Sequence, residues 1–114
     1  MKSLVNNLKT IRDALLTVDP SAVYHYQRPA RENLKRYIIW AEEGETNSLM
    51  VGNRKAEQQI SGSVDLYTAT EFDTWADDIQ EALDALDHVT WELDSVQYED
   101  ETGLIHYAWT FTVV

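Results

Sequence analysis

The sequence predicts an α+β fold: an antiparallel sheet of about five strands with two helices packed on one face, in the order α-β-β-β-α-β-β. Three observations predict it. Apolar residues recur at helical spacing in two separated segments, 4–17 and 71–86. Alternating or β-branched runs fill the interval between them. Two long alternating runs close the chain around the turn Glu99-Asp100-Glu101-Thr102-Gly103, as an antiparallel hairpin does. Segregated strands and helices place the helices on one face of such a sheet. Residues 1–114 are expected to form a single domain with one core.

Leu4, Leu8, Ile11 and Leu15 define the first helix, with Ser3 as its cap and Asp19-Pro20 as its stop. Residues 22–26 (Ala-Val-Tyr-His-Tyr) alternate and favour a strand. Residues 27–36 form a loop that holds four cations: Arg28, Arg31, Lys35 and Arg36. Residues 37–43 (Tyr-Ile-Ile-Trp-Ala-Glu-Glu) are a second strand, whose continuous apolar stretch predicts burial on both faces. Gly44, Asn47, Gly52 and Asn53 make 44–53 a loop or loose hairpin. Residues 54–68 then alternate as one long strand, with Ala56, Ile60, Val64 and Leu66 on one side. Its length predicts that part of it projects past the sheet, and Gly62 marks a bulge or bend. Thr70 and Asp73 form a capping box that opens the second helix. The inner stripe of that helix is Phe72, Trp75, Ala76, Ile79, Leu83 and Leu86. Trp40, Trp75, Trp91 and Trp109 each fall on an apolar phase and are assigned to the core.

Charge divides along the chain. The net charge is -11, yet all nine Lys and Arg lie at or before Lys55, beside only six acids. Residues 56–114 hold fourteen acids and no cation. Such asymmetry points to a directed partner, or else to an acidic surface kept soluble by self-repulsion. The outer face of the second helix carries Asp73, Asp77, Asp78, Glu81 and Asp84. Asp84 and Asp87 near its last turn oppose the helix dipole by some tenths of a kcal/mol. A broken local rule of this kind is expected where a partner binds.

Several chemistries are excluded. With no cysteine there are no disulfides, thiolates or Cys-based zinc sites. The start has spaced apolar residues rather than a signal peptide, and no run reaches membrane-spanning length. A cytoplasmic site of synthesis and no membrane partner are expected. His25, His88 and His106 form no HxxxH, HExxH or His-x-His motif. His25 and His106 read as surface or half-buried strand histidines, the alternative being that they sit on neighbouring strands and meet a carboxylate. No nucleophile elbow, phosphate loop or EF-hand is present. The sequence therefore predicts no enzyme, no cofactor and no metal. The four loop cations lack interleaved aromatics and sit on an acidic body, so they suit an acidic protein surface better than DNA.

One acidic surface lies on this same chain. The candidate subunit or partner contacts are Arg28, Arg31, Lys35 and Arg36 against Asp77, Asp78, Glu81 and Asp84, with Glu42, Glu43 and Glu45 beside the basic loop. Patches of opposite sign on one monomer pair head to tail, which closes into rings or runs on as filaments. Charge would set register and on-rate, while apolar anchors would supply affinity.

Three stretches carry a resemblance. They are "RYIIWAEEGE", "EQQISGSVDLYTATEFD" and "WELDSVQYEDETGLIHYAWTF", within a match that runs from residue 22 onward. They resemble the small tail-completion proteins of long-tailed phages and prophages, also called tail terminators or head-to-tail joining proteins. The resemblance implies a monomer that assembles into a hexameric ring at the virion neck. The ring would cap the tail tube protein, face the head connector protein and let DNA pass without specific binding. It also makes the 41–54 loop and the long strand arms toward a neighbour or the tube. The alternatives are another neck component, such as an adaptor or stopper, and an acidic inhibitor or DNA mimic that masks a basic enzyme surface.

Overall fold

The computed structural model describes residues 3–30 and 33–114. Helix α1 spans Leu4–Leu16. Ser3 caps it, accepting the Asn6 N–H at 3.3 Å, and Ile11, Ala14 and Leu15 form its buried stripe. Asp19 then accepts the backbone N–H groups of Ser21 and Ala22 and turns the chain into the first strand. The strands are β1 (Val23–His25), β2 (Arg36–Glu45), β3 (Leu49–Val51), β4 (Arg54–Glu57), β5 (Ile60–Thr68), β6 (Val89–Glu99) and β7 (Leu104–Val113). Helix α2 spans Thr74–Asp84.

Five strands form the main sheet, in the order β1-β2-β5-β7-β6, and β3-β4 form a separate two-stranded sheet. The α+β class and the helix placement are as expected, with two differences in the strands. Strand β1 runs parallel to β2, pairing Val23 with Ile38 and His25 with Trp40. The long connection 26–35 is the reason, since it carries the chain back to the start of β2. The run 54–68 is two strands rather than one. It leaves the main sheet at Gln58 and Gln59, and its first part pairs with β3 as a projecting arm.

The core lies between the sheet and the two helices. Ile38, Trp40, Val64, Leu66, Trp109, Phe111 and Val113 meet Ile11, Leu15, Ile79 and Leu83 there. Full burial of each such side chain contributes roughly 1.5–3 kcal/mol. Trp40 and Trp109 are buried, while Trp75 and Trp91 are half-buried against the same cluster. Gly62 is not itself a bulge. It sits in register opposite Phe111, and a Cβ there would lie less than 3.0 Å from the Phe111 ring and the Ala41 carbonyl. It does mark one: the β2 bulge at Glu43 lies directly across from Gly62 and Ser61, and a second bulge is at Asp94 on β6, each an extra residue against the partner strand.

Helix α2 starts later than its periodicity predicts. Asp73, not Thr70, is the cap and accepts the Trp75 N–H at 2.9 Å. Asp73 is buried and also accepts the Thr68 hydroxyl at 2.6 Å and Arg36 Nε at 2.9 Å. The Arg36 guanidinium lies 3.8 Å over the Trp75 ring. One carboxylate thus joins β2, β5 and α2. Phe72 leaves the inner stripe: its φ is 56° and it is 87% exposed. The tight entry into the Asp73 cap turns its backbone into the left-handed region and its side chain outward.

Candidate functional site: two opposed edges and an arm

The main sheet has two outer edges. The short strand β1 and the end of β2 form one, and β6 forms the other. Helix α1 borders the first, where Leu8, Lys9 and Arg12 line a pocket with His25 and Trp40. Helix α2 lies over the second, where Gln80 accepts from Trp109 Nε1 at 3.1 Å and Asp84 from Trp91 Nε1 at 3.2 Å. The charge division along the sequence is only partly a division in space. Lys9, Arg12, Arg28 and Lys35 belong to the first edge and its loop, with Asp13 and Glu42 among them. Asp84, Glu92 and Asp94 belong to the second and are exposed, whereas Asp78 and Glu81 line a groove between α2 and the end of α1 with Thr17 and Val18.

The predicted contact residues fall into two groups. Lys35, Glu43, Asp77, Asp78 and Glu81 are exposed. Arg28 lies over the Tyr37 ring at 5.3 Å. Arg31 lies outside the described residues. The second group is engaged within the chain. Arg36 is held by Asp73 and Trp75, so it serves the fold. Burial pushes the Asp73 carboxyl up, but bonds from Arg36, Thr68 and the Trp75 N–H prevail and hold it below the usual carboxylate value. Glu42 sits between His25 Nε2, at 2.8 Å, and the Tyr26 hydroxyl. Burial raises its pKa, and those two bonds lower it by more. Glu45 accepts from Lys55 and Gln58 and so ties the arm to the end of β2.

The two strand histidines both meet carboxylates, but not on neighbouring strands. His25 is on β1, whereas His106 is on β7, with β2 and β5 between them. On the sheet face away from the helices, Tyr37, Tyr67 and His106 stack across three strands, with centroids 4.9 and 4.2 Å apart. His106 Nε2 lies 2.7 Å from Asp65, and Nδ1 lies 3.7 Å from Glu99. Burial, then the charge of Asp65, pushes the Tyr67 hydroxyl up to about 12. Neutral at physiological pH, this tyrosine acts as a packing plate in the ladder. Among the described residues, no group of three or more His, Asp or Glu could hold a metal ion.

Two apolar features escaped the sequence reading. In the arm, the consecutive residues Leu49, Met50 and Val51 are each 51 to 62% exposed. On β6, Leu93, Val96 and Tyr98 are each 42 to 65% exposed. The signal for the first was present as three large apolar residues within a polar loop. The second was hidden by the Asp94 insertion, which breaks the alternation between Leu93 and Val96.

No family profile and no curated protein sequence matches the chain. Among solved structures, the fold is similar to a chain of a particle described as the virion of a native gene transfer agent. That similarity has a TM-score of 0.60 at 11% sequence identity, and covers 98% of this chain and 96% of the other. The two chains thus share an architecture over almost their full lengths.

Proposed function

We propose that this chain is a structural protein of a phage-type virion, assembling head to tail into a ring that closes the tail tube and joins it to the head connector. The observation that carries the reading is the near-complete overlap with a virion chain, in which neither partner has a domain left over. The opposed edges support it. A basic loop and helix flank on one side and an acidic helix and strand on the other suit repeated heterologous contacts. The arm supports it too, because an isolated two-stranded sheet with three exposed apolar residues gains most from a neighbour or the tube. A ring of net-acidic subunits would repel DNA passing through it, consistent with a conduit. The role is structural, and catalysis plays no part in it. Its place is the tail or neck of the virion.

Light scattering behind size exclusion, over a concentration and salt series, tests assembly. Co-purification with a phage tail-tube protein tests the partner. A salt-sensitive rise toward a hexamer together with tube binding is expected. A stable monomer that ignores tube protein and captures a basic nuclease instead would replace this reading with that of a DNA mimic. Reversing Arg28 and Lys35 while sparing Arg36 should weaken assembly and flatten its salt dependence without unfolding the chain.

A further inference from the structure

We propose that Phe72 is an assembly anchor, inserting into the pocket between α1 and the β1–β2 edge of a second copy of this chain. The inference rests on the head-to-tail reading above and names the contact that carries it.

Phe72 departs from the usual fate of a large apolar side chain. At 87% it is the most exposed large hydrophobic residue among those described. Its φ of 56° lies in the left-handed region, where a bulky side chain is strained. The surroundings hold it there. Asp73, next in the chain, is buried and fixed by Arg36, Thr68 and the Trp75 N–H. On the other side, the Ala69 N–H donates to the Lys35 carbonyl at 2.9 Å. A ring that is strained, exposed and rigidly presented adds nothing to the core of its own chain. Backbone outliers of this kind concentrate where a contact uses them. Rigid presentation also lowers the ordering cost of that contact.

The pocket suits one such ring. Its volume is about 200 Å³, and Val5, Leu8, Lys9, Arg12, His25 and Trp40 line it. His25 stacks on Trp40 at 4.0 Å, and Glu42 holds His25 Nε2 at 2.8 Å, so the aromatic wall is set before binding. Lys9 and Arg12 bring positive charge to the lining. Arg12 lies beside Asp13, whereas Lys9 makes no ion pair among the described residues.

Charge selects the occupant. Three apolar features stand exposed away from this pocket: the arm, the outer part of β6 and Phe72. The arm places Arg54 directly across from Val51, which would set cation against cation. On β6, Glu92 pairs with Thr110 and lies on the opposite sheet face from Leu93, Val96 and Tyr98. Asp94 and Glu99 are bonded to Thr110 and Thr102 of their own chain. Phe72 differs, because Glu71 shares its turn, is exposed and makes no hydrogen bond or ion pair among the described residues. Glu71 and Phe72 thus offer one carboxylate and one ring to a pocket with cations and an aromatic wall. Phe72 stands in solvent, so it does not enter the pocket of its own copy. Knob and pocket are different surfaces of one chain, and such a contact repeats head to tail.

Phe72→Asn removes the ring and suits a left-handed backbone. Its thermal midpoint should hold or rise, while self-association by sedimentation velocity should weaken about tenfold. Glu71→Lys and Lys9→Glu should each weaken association, and the two together should restore it. Carbodiimide couples an amine to a carboxylate without a spacer, so it reads the wild-type contact directly. In a mixture of light and heavy-isotope protein, a Lys9–Glu71 peptide joining the two labels is expected by mass spectrometry. Unchanged association of Phe72→Asn overturns the proposal, as does a midpoint that falls together with association. Links between copies that omit the Lys9–Glu71 pair also overturn it. The mixed-label peptide without rings in electron micrographs removes the ring and keeps this contact. Rings that persist in Phe72→Asn do the reverse, and a wild-type chain that neither associates nor cross-links overturns both.

Discussion

The strand pair β2–β5 and the arm β3–β4 are continuous in the chain and opposite in character. Within the main sheet, Ile38, Trp40, Val64 and Leu66 are covered by two helices. Beyond Gln58 and Gln59, Leu49, Met50 and Val51 are each more than half exposed. Both regions carry large apolar side chains on paired strands, Leu49, Met50 and Val51 in the arm. The second layer, and not composition, decides which of these side chains stabilise the monomer. In the sheet they hold the fold. In the arm they stay exposed and add little to it.

That contrast predicts a graded series of effects. Phe111→Ala should be the most damaging, at about 3–5 kcal/mol by chemical denaturation, since it empties the middle of the core. Gly62→Val should follow at about 3 kcal/mol, because the Ala41 carbonyl cannot move aside as a flexible side chain would. Asp73→Ala should cost about 2 kcal/mol, removing a helix cap and orphaning the Thr68 hydroxyl. The wild-type Asp73 also gives a pH signature. Its pKa is lowered by folding, so its contribution is full above the ordinary value of 3.8 and is lost as pH falls through the lower folded value. Unfolding free energy should therefore drop below about pH 4, and Asp73→Asn should flatten that drop. Smallest of all in stability is Met50→Ser, within roughly 0.5 kcal/mol of wild type. The same variant should nevertheless impair self-association or tube binding. A large loss of monomer stability from Met50→Ser would erase the distinction between the two regions.

Much of this was legible in the sequence because it is local. The α1 stripe with its Ser3 cap, the 60–68 alternation and the closing hairpin depend on neighbours a few residues apart. What was not legible depends on distant partners. Arg36 looked like a surface cation until Asp73 and Trp75, more than thirty residues on, were brought to it. Gly62 signalled the bulge now seen across from it on β2, but nothing local reveals that the Phe111 ring also lies against it. Phe72 fits the helical stripe by period, but the Asp73 cap excludes it from the helix. For the candidate site, the opposite charges were visible in the sequence, and their placement on opposite edges needed the strand order.

The Asp94 insertion has a consequence for aggregation. Without it, Leu93-Ser95-Val96-Gln97-Tyr98 would alternate regularly, and β6 would be a long, unbroken outer strand. Such strands zip readily onto copies of themselves, and bulges and charges are how soluble proteins prevent it. Asp94 supplies both, its carboxylate pinned by the Thr110 hydroxyl. Deleting that one residue would leave the register of β7 intact while removing the twist and the charge that keep like strands apart. Two copies would then be free to pair edge to edge through β6 as a closed symmetric dimer.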